Sequence, residues 1–323
     1  MHSTASFAPR ISAPQAGGQI APGPVNYCCH TWTGGVQQQS RHVIRIPRVQ
    51  LILWGDYQSR AAGSDYIAYA YEMVLDLVTG AYMNKLCQYG VAPGSIVGTG
   101  TFDTGALDPP PGTLDQDGVL SKLKQWLSTP GGLPQPSVNE ASLVYLILPP
   151  TATQLTIPGP NGVILQGGTD FGGYHYSGKY NEQSANDDLF LGIVSTKHAD
   201  QSTPRAFMSS ICTAVSHELV ELFTDRDGQG YVSGSCQNPD GSAITCEIGD
   251  ICEQHVYSYR RSASSPRWPV QQYWSGWDNG CVHGESPVSV KKFLTEIGFD
   301  YQIHPLSVLG TSTISIPYIA SRM

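Results

Sequence analysis

The chain has 323 residues, enough for one large domain or two small ones with an ample core. Eighteen Lys and Arg against 26 Asp and Glu give a formal net charge of -8, which argues against nucleic acid or an anionic membrane as partner. Only 14% of residues are charged while Gly (35), Pro (23) and Tyr (17) are plentiful, so hydration rests on neutral polar side chains, a composition closer to secreted than to cytosolic proteins.

Residues 1–44 are rich in Ser, Ala, Pro, Gly and Gln without periodicity and read as an extended or disordered arm. The first twenty contain no apolar run of signal-peptide length, so the expected export lacks a visible leader. HVIRIPRVQLILWGDYQ then supplies a strand, and residues 64–89 repeat apolar side chains at helical spacing, with Ser64 as N-cap, Gly80 dividing two helices and Gly90 as a stop. A short strand is expected over 96–101 and a helix over 114–127, followed by the apolar run SLVYLILPP, a buried strand closed by two prolines. GVILQGG, FGGYHYSGKY and DLFLGIVS, between 155 and 195, alternate and turn as hairpins do. No run of 18 apolar residues occurs, so no transmembrane helix is expected.

The most informative stretch is TPRAFMSSICTAVSHELVELFT, residues 203–224. Thr203 can cap a helix and Pro204 suits its first turn, while Phe207, Ile211, Val215, Leu219 and Leu222 make an apolar stripe. His217 and Glu221, one turn apart, project side by side on another face with Ser210, Thr213 and Thr224. With Glu218 they read H-E-x-x-E, which resembles the H-E-x-x-H helix of zinc metallopeptidases with a carboxylate in place of the second His. A solvated helix face with two Glu and a His is the alternative.

Beyond the helix the chain turns polar, acidic and rich in turn formers. Two acidic groups there can supply a third ligand: Asp225 with Asp227, and Glu247 with Asp250. The second pair is preferred because it lies between Cys246 and Cys252, with Asp250 ahead of Glu247. The alternatives are a helix-terminating turn for the first pair and a surface turn for the second. Of eight cysteines, Cys252 with Cys281 and Cys236 with Cys246 are the expected disulfides, and Cys28, Cys29, Cys87 and Cys212 stay undecided. A zinc site on Cys246, Cys252, His255 and Cys281 competes with that reading. VQQYWSGWDNGCVHG reads as a final strand, and SVLGTSTISIPYI as a strand-like segment of the C-terminal extension, 286–323.

Several segments together resemble the exordium or phosphate-induced proteins of plants and their bacterial and fungal relatives: LILWGDYQ, GAYMNKLCQYGV, GYHYS, SHELVELFTD, CEIGDIC and VQQYWS, spanning about residues 48–283. The chain departs from the common pattern where Arg226 follows Asp225. The resemblance implies an extracellular protein of a family without a settled enzymatic activity.

These readings converge on an α/β (α+β) fold: a mixed twisted sheet flanked by helices, zincin-like, with a single metal-site domain over 45–285 and an irregular disulfide-stapled C-terminal region. His217, Glu221, Asp250 and Glu247 are the expected metal ligands, Glu218 the general base and His175 an assisting or oxyanion group, with zinc the expected ion and calcium or manganese its competitors. The expected function is a secreted, peptidase-like hydrolase acting on a peptide or cell-wall substrate. One alternative is a non-catalytic extracellular protein with a structural ion and a carbohydrate-facing patch of Trp268, Trp274 and Trp277. Another uses Glu218, Glu221 and Asp250 as glycosidase carboxylates, for which adjacent helical positions are poorly aimed.

Overall fold

The computed structural model describes residues 42–284, except 56, 58–59, 61, 104–110, 130–132, 137–141, 160–161, 182–187, 238–242, 277 and 279, with backbone only at 98–103, 232–237 and 243–245. The N-terminal arm to residue 41 and the C-terminal extension lie outside the described residues. In order come β1 (Arg48–Leu53), α1 (Gly63–Thr79), a 3-10 helix (Ala81–Tyr89), β2 (Ser95–Asp103), β3 (Thr113–Leu114), α2 (Gln116–Ser128) and β4 (Leu143–Leu148). The hairpin of β5 (Gln154–Pro158) and β6 (Ile164–Gln166) is followed by β7 (Gly173–Lys179), β8 (Asp188–Val194) and α3 (Pro204–Thr224). Short strands complete the chain: β9 (Val232–Gln237), β10 (Ala243–Glu247), β11 (Val256–Tyr259), β12 (Trp268–Gln271), β13 (Tyr273–Ser275) and β14 (Gly280–Val282).

The main sheet has five strands in the order β2-β1-β4-β8-β7. β2, β1, β4 and β8 run parallel, and β7 pairs antiparallel with β8 at the edge. From β1 the chain crosses first to one side and then, after β2, to the other, so crossovers of the same hand place α1 and α2 on opposite faces. Burial agrees with that arrangement. Val49, Leu51, Leu53, Val144 and Leu146 share a core with α1 and α3, whereas Ile52, Tyr145, Ile147, Leu191 and Ile193 pack with Leu123 and Trp126 of α2. Both faces of the central strands are covered, which explains why LVYLIL is apolar throughout instead of alternating.

Two expectations need correction. The N-cap of α1 is Ala62 in the left-handed region, φ 61, with no side-chain cap, so Ser64 already lies inside the helix. The final aromatic segment is three short strands, β12 to β14, in two separate two-stranded sheets. The helix break at Gly80 is as expected, and a Cβ there would lie 1.9 Å from the Tyr259 hydroxyl and 2.4 Å from the Asp76 carbonyl.

Buried tyrosines tie the 3-10 helix to the C-terminal strands. Tyr82 donates to the Gln271 carbonyl (2.7 Å), Tyr273 to that of Tyr82 (2.6 Å) and Tyr89 to that of Trp274 (2.8 Å). Trp268 is fully buried and its indole N–H donates to Asp76 Oδ2 at 3.1 Å, which removes it from any carbohydrate-facing patch. Trp274 is half-buried and Trp277 lies outside the described residues. The disulfide expected between Cys252 and Cys281 is present, and Cys246 is also disulfide-bonded, so a zinc site on these cysteines is excluded. The side chain of Cys236, like Cys28 and Cys29, lies outside what is described; Cys212 is a buried thiol and Cys87 is half-buried. Disulfides are what an oxidising compartment produces. Among the described residues no helix is long and apolar enough to cross a membrane.

Candidate metal centre

The site forms where α3 crosses the sheet edge and the 247–250 turn folds over it. α3 begins as its sequence requires: Thr203 Oγ1 accepts from the Ala206 N–H at 3.0 Å, with Pro204 in the first turn. From Val215 to Thr224 every residue is buried, so the His-Glu face is no solvated surface. Strand alternation supplies the opposing group. Tyr174 and Tyr176 of β7 join the α2-side core, and His175 between them faces α3. Close approach of helix and strand depends on Gly173, where a Cβ would lie 2.8 Å from Glu218 Cγ and 2.8 Å from the Ile193 carbonyl oxygen.

Two groups of donors share one carboxylate. His217, Glu221 and Asp250 form the first and His175, Glu218 and Glu221 the second, each with ligand atoms within 4.8 Å of one another. In the first, His217 Nε2 lies 3.0 Å from Glu221 Oε2 and 3.7 Å from Asp250 Oδ1. In the second, His175 Nδ1 lies 3.5 Å from Glu218 Oε2 and 3.8 Å from Glu221 Oε2, while its Nε2 is 3.5 Å from Glu247 Oε2. A tetrahedral zinc with donors at about 2.0–2.2 Å separates them by about 3.3–3.6 Å, so the spacing suits a cation in either group.

Hydrogen bonding shows which atoms lack a protein partner. The Asp250 N–H donates to Glu221 Oε1 at 3.1 Å, and the Glu247 N–H to Asp250 Oδ2 at 3.0 Å, which shapes the turn. Gly249 lets that turn close: a Cβ there would stand 2.6 Å from Glu221 Oε1. The Gln271 amide nitrogen donates to the Gly249 carbonyl at 2.8 Å and lies 2.8 Å from His217 Nδ1. Donating to both leaves the His217 ring proton on Nε2, toward Glu221; ligation through Nε2 moves that proton to Nδ1 and requires the Gln271 amide to present its oxygen. By contrast, both ring nitrogens of His175, both oxygens of Glu218, Glu221 Oε2 and Glu247 Oε2 are buried with no hydrogen-bond partner. Buried polar atoms are rarely left so, and a cation is the partner that this donor set fits.

The electrostatics carry the same mark of crowded carboxylates. Burial lowers the His217 pKa, yet Glu221, Glu218 and Asp250 together raise it well above the ordinary 6.5. His175 is likewise lowered by burial but raised overall by contact with Glu218 and the charge of Glu221. Burial, then Asp250, pushes Glu221 from 4.5 up to about 7 against the opposing pull of His217. Burial and then the Glu221 and Asp225 charges push Glu247 well above its ordinary value. Glu253, which sequence reasoning missed, is pushed by burial up to about 8. Its only sequence signal is an acid three positions after Asp250.

The expected ligands His217, Glu221 and Asp250 therefore do come together. Glu247 is displaced: it faces His175 across the pocket, because the turn aims Asp250, and not Glu247, at His217. His175 is 1% exposed and lies within 3.8 Å of the carboxylates of Glu218, Glu221 and Glu247. Asp227 stands apart from the two donor groups and pairs with His42 Nδ1 at 2.8 Å. Asp225 terminates the helix, accepting from the Gly230 N–H at 2.6 Å, although its Oδ2 is unpartnered. Gln271 is a further part of the site that the sequence did not assign; it lies in VQQYWS, with nothing local to mark its contact with His217. Compared with protein-family models the chain matches none, and no curated protein is detectably similar to it.

Proposed function

We propose that the protein is a metal-dependent hydrolase, peptidase-like in its chemistry, with zinc held by His217, Glu221 and Asp250. The observation that carries this reading is Glu218: beside a complete His/Glu/Asp donor group stands a further carboxylate with neither oxygen hydrogen-bonded. A structural ion needs no such spare group. When bound, zinc supplies Lewis acidity, polarising a scissile carbonyl and acidifying water. Glu218 accepts the proton released from the attacking water and returns it to the leaving group, and His175, 3.5 Å away, steadies its charge. Gln271 fixes the plane of the His217 ring. Asp250 is the most exposed of the donors, its side chain 13% accessible against 4%, 1% and 0% for His217, Glu218 and Glu221, so substrate would approach from its side. Secretion belongs to the same proposal, and the disulfide is consistent with it; the likeness to exordium proteins enters it on the sequence segments alone.

The test is a Glu218→Gln variant assayed for metal content and for cleavage of casein and a mixed peptide library. Metal is expected to remain while hydrolysis falls about 10²–10⁴-fold, the range typical of losing a general base. A protein purified free of metal, or full activity in Glu218→Gln, overturns the proposal. The near-complete burial of the donors favours one second reading, a structural ion in a non-catalytic extracellular protein. It predicts stoichiometric metal, no turnover, and a lower melting temperature on chelation.

A further inference from the structure

We infer that the pocket takes a second divalent cation, on His175 Nδ1, Glu218 and Glu221, and that this cation suppresses the hydrolase activity proposed above. The inference rests on that reading for the first ion and for the role of Glu218.

Three observations carry it. The atoms without hydrogen-bond partners gather in the second donor group: both nitrogens of His175, both oxygens of Glu218 and Oε2 of Glu221. In the first group His217 Nδ1 is already engaged by Gln271, and its Nε2 lies at ion-pair distance, 3.0 Å, from Glu221 Oε2. A single ion at His217 thus leaves the His175 side of the pocket unsatisfied. Glu221 can serve both ions, because its Oε2 faces His217 Nε2 at 3.0 Å and His175 Nδ1 at 3.8 Å while Oε1 is held by the Asp250 N–H. Glu247 stands on the other side of the ring: its Oε2 lies 3.5 Å from His175 Nε2, so a cation on Nδ1 would leave the ring proton on Nε2 facing that carboxylate.

Charge points the same way. Glu218, Glu221, Glu247 and Asp250 bring up to four negative charges into one pocket, and among the described residues the ion pairs of the three glutamates are to histidines alone. One divalent ion offsets half of that charge, and two offset all of it. Asp225, bonded to the Gly230 N–H, adds a fifth carboxylate behind His175. The functional consequence follows from Glu218. A carboxylate ligated to a second ion no longer accepts a proton from water, so filling the second group removes the base that the first ion needs.

The test titrates Zn²⁺ alone into the metal-stripped full chain by calorimetry, with metal content measured after gel filtration. Two equivalents are expected, the second weaker, and only one in His175→Gln. Where cleavage is measurable, the wild-type rate is expected to rise with the first equivalent and fall with the second. One equivalent in the wild type, or two in His175→Gln, overturns the inference while leaving the hydrolase proposal standing. Absence of any bound zinc removes both. Should His175→Gln fail to fold by circular dichroism, Glu247→Gln decides: the second equivalent is expected to weaken about 10–100-fold. An unchanged second affinity in that variant overturns the inference.

Discussion

Glu221 is the residue on which the site turns. Its two oxygens have different tasks, one anchored by the Asp250 N–H and the other facing both imidazoles. Gly249 protects that division, since any side chain there meets Glu221 Oε1 at 2.6 Å. Gly249→Ala is therefore expected to push either the turn or the carboxylate aside. The expected cost is about 1–3 kcal/mol of stability, as for other overpacked sites, with a loss of zinc affinity that calorimetry reads directly. Gly112 is the natural control, because a Cβ there meets nothing within 4 Å and Gly112→Ala should leave metal binding untouched.

Among the elements, α3 was the most legible in sequence and the turn that completes its site the least. Thr203-Pro204 and the three-to-four-residue apolar spacing are local signals, and a helix answers to local signals. Tyr174-His175-Tyr176 announces alternation, but which face receives α3 depends on crossovers more than a hundred residues long in total, so His175 read as a lone residue in a hairpin. Asp250 outranked Glu247 only by preference, and the geometry that separates them lies in one bond from the Glu247 backbone N–H to the Asp250 side chain, at Oδ2. The start of α1 was misplaced for the opposite reason, because a left-handed Ala62 carries no sequence mark. Behind the turn, the Cys252–Cys281 disulfide closes a loop with a sequence separation of 29. Replacing both cysteines by serine is expected to cost roughly 2–4 kcal/mol in denaturant unfolding, and to raise the rate at which zinc leaves, because Asp250 shares a short 3-10 turn with Cys252.

At the scale of the whole molecule, the titrating groups of the pocket act in one direction. Glu221 and Glu253 hold their protons to about 7 and about 8 in the native state but release them near 4.5 when unfolded, and Glu247 and Asp225 are raised likewise. Both histidines are raised above 6.5, so they too keep protons that the unfolded chain loses. The native state thus binds more protons than the unfolded state, and stability falls as pH rises. Metal-stripped protein is expected to melt at progressively lower temperature as pH rises from 4.5 to about 8. With zinc present the decline should flatten or reverse, because the ion binds the deprotonated donors. Scanning calorimetry at several pH values with and without a chelator checks both halves.

The donors come from β7, α3 and the turn after β10, with β12 supplying the hydrogen-bonding partner of His217. No short piece of the polypeptide gathers enough of them to capture an ion on its own. On the proposed metal reading, assembly of the sheet and docking of α3 must precede loading, so that newly made protein passes through an empty stage in which like charges are already pressed together. On that reading the supply of cations where folding finishes governs how many molecules mature, and a shortage would be felt during biogenesis before it touched any turnover.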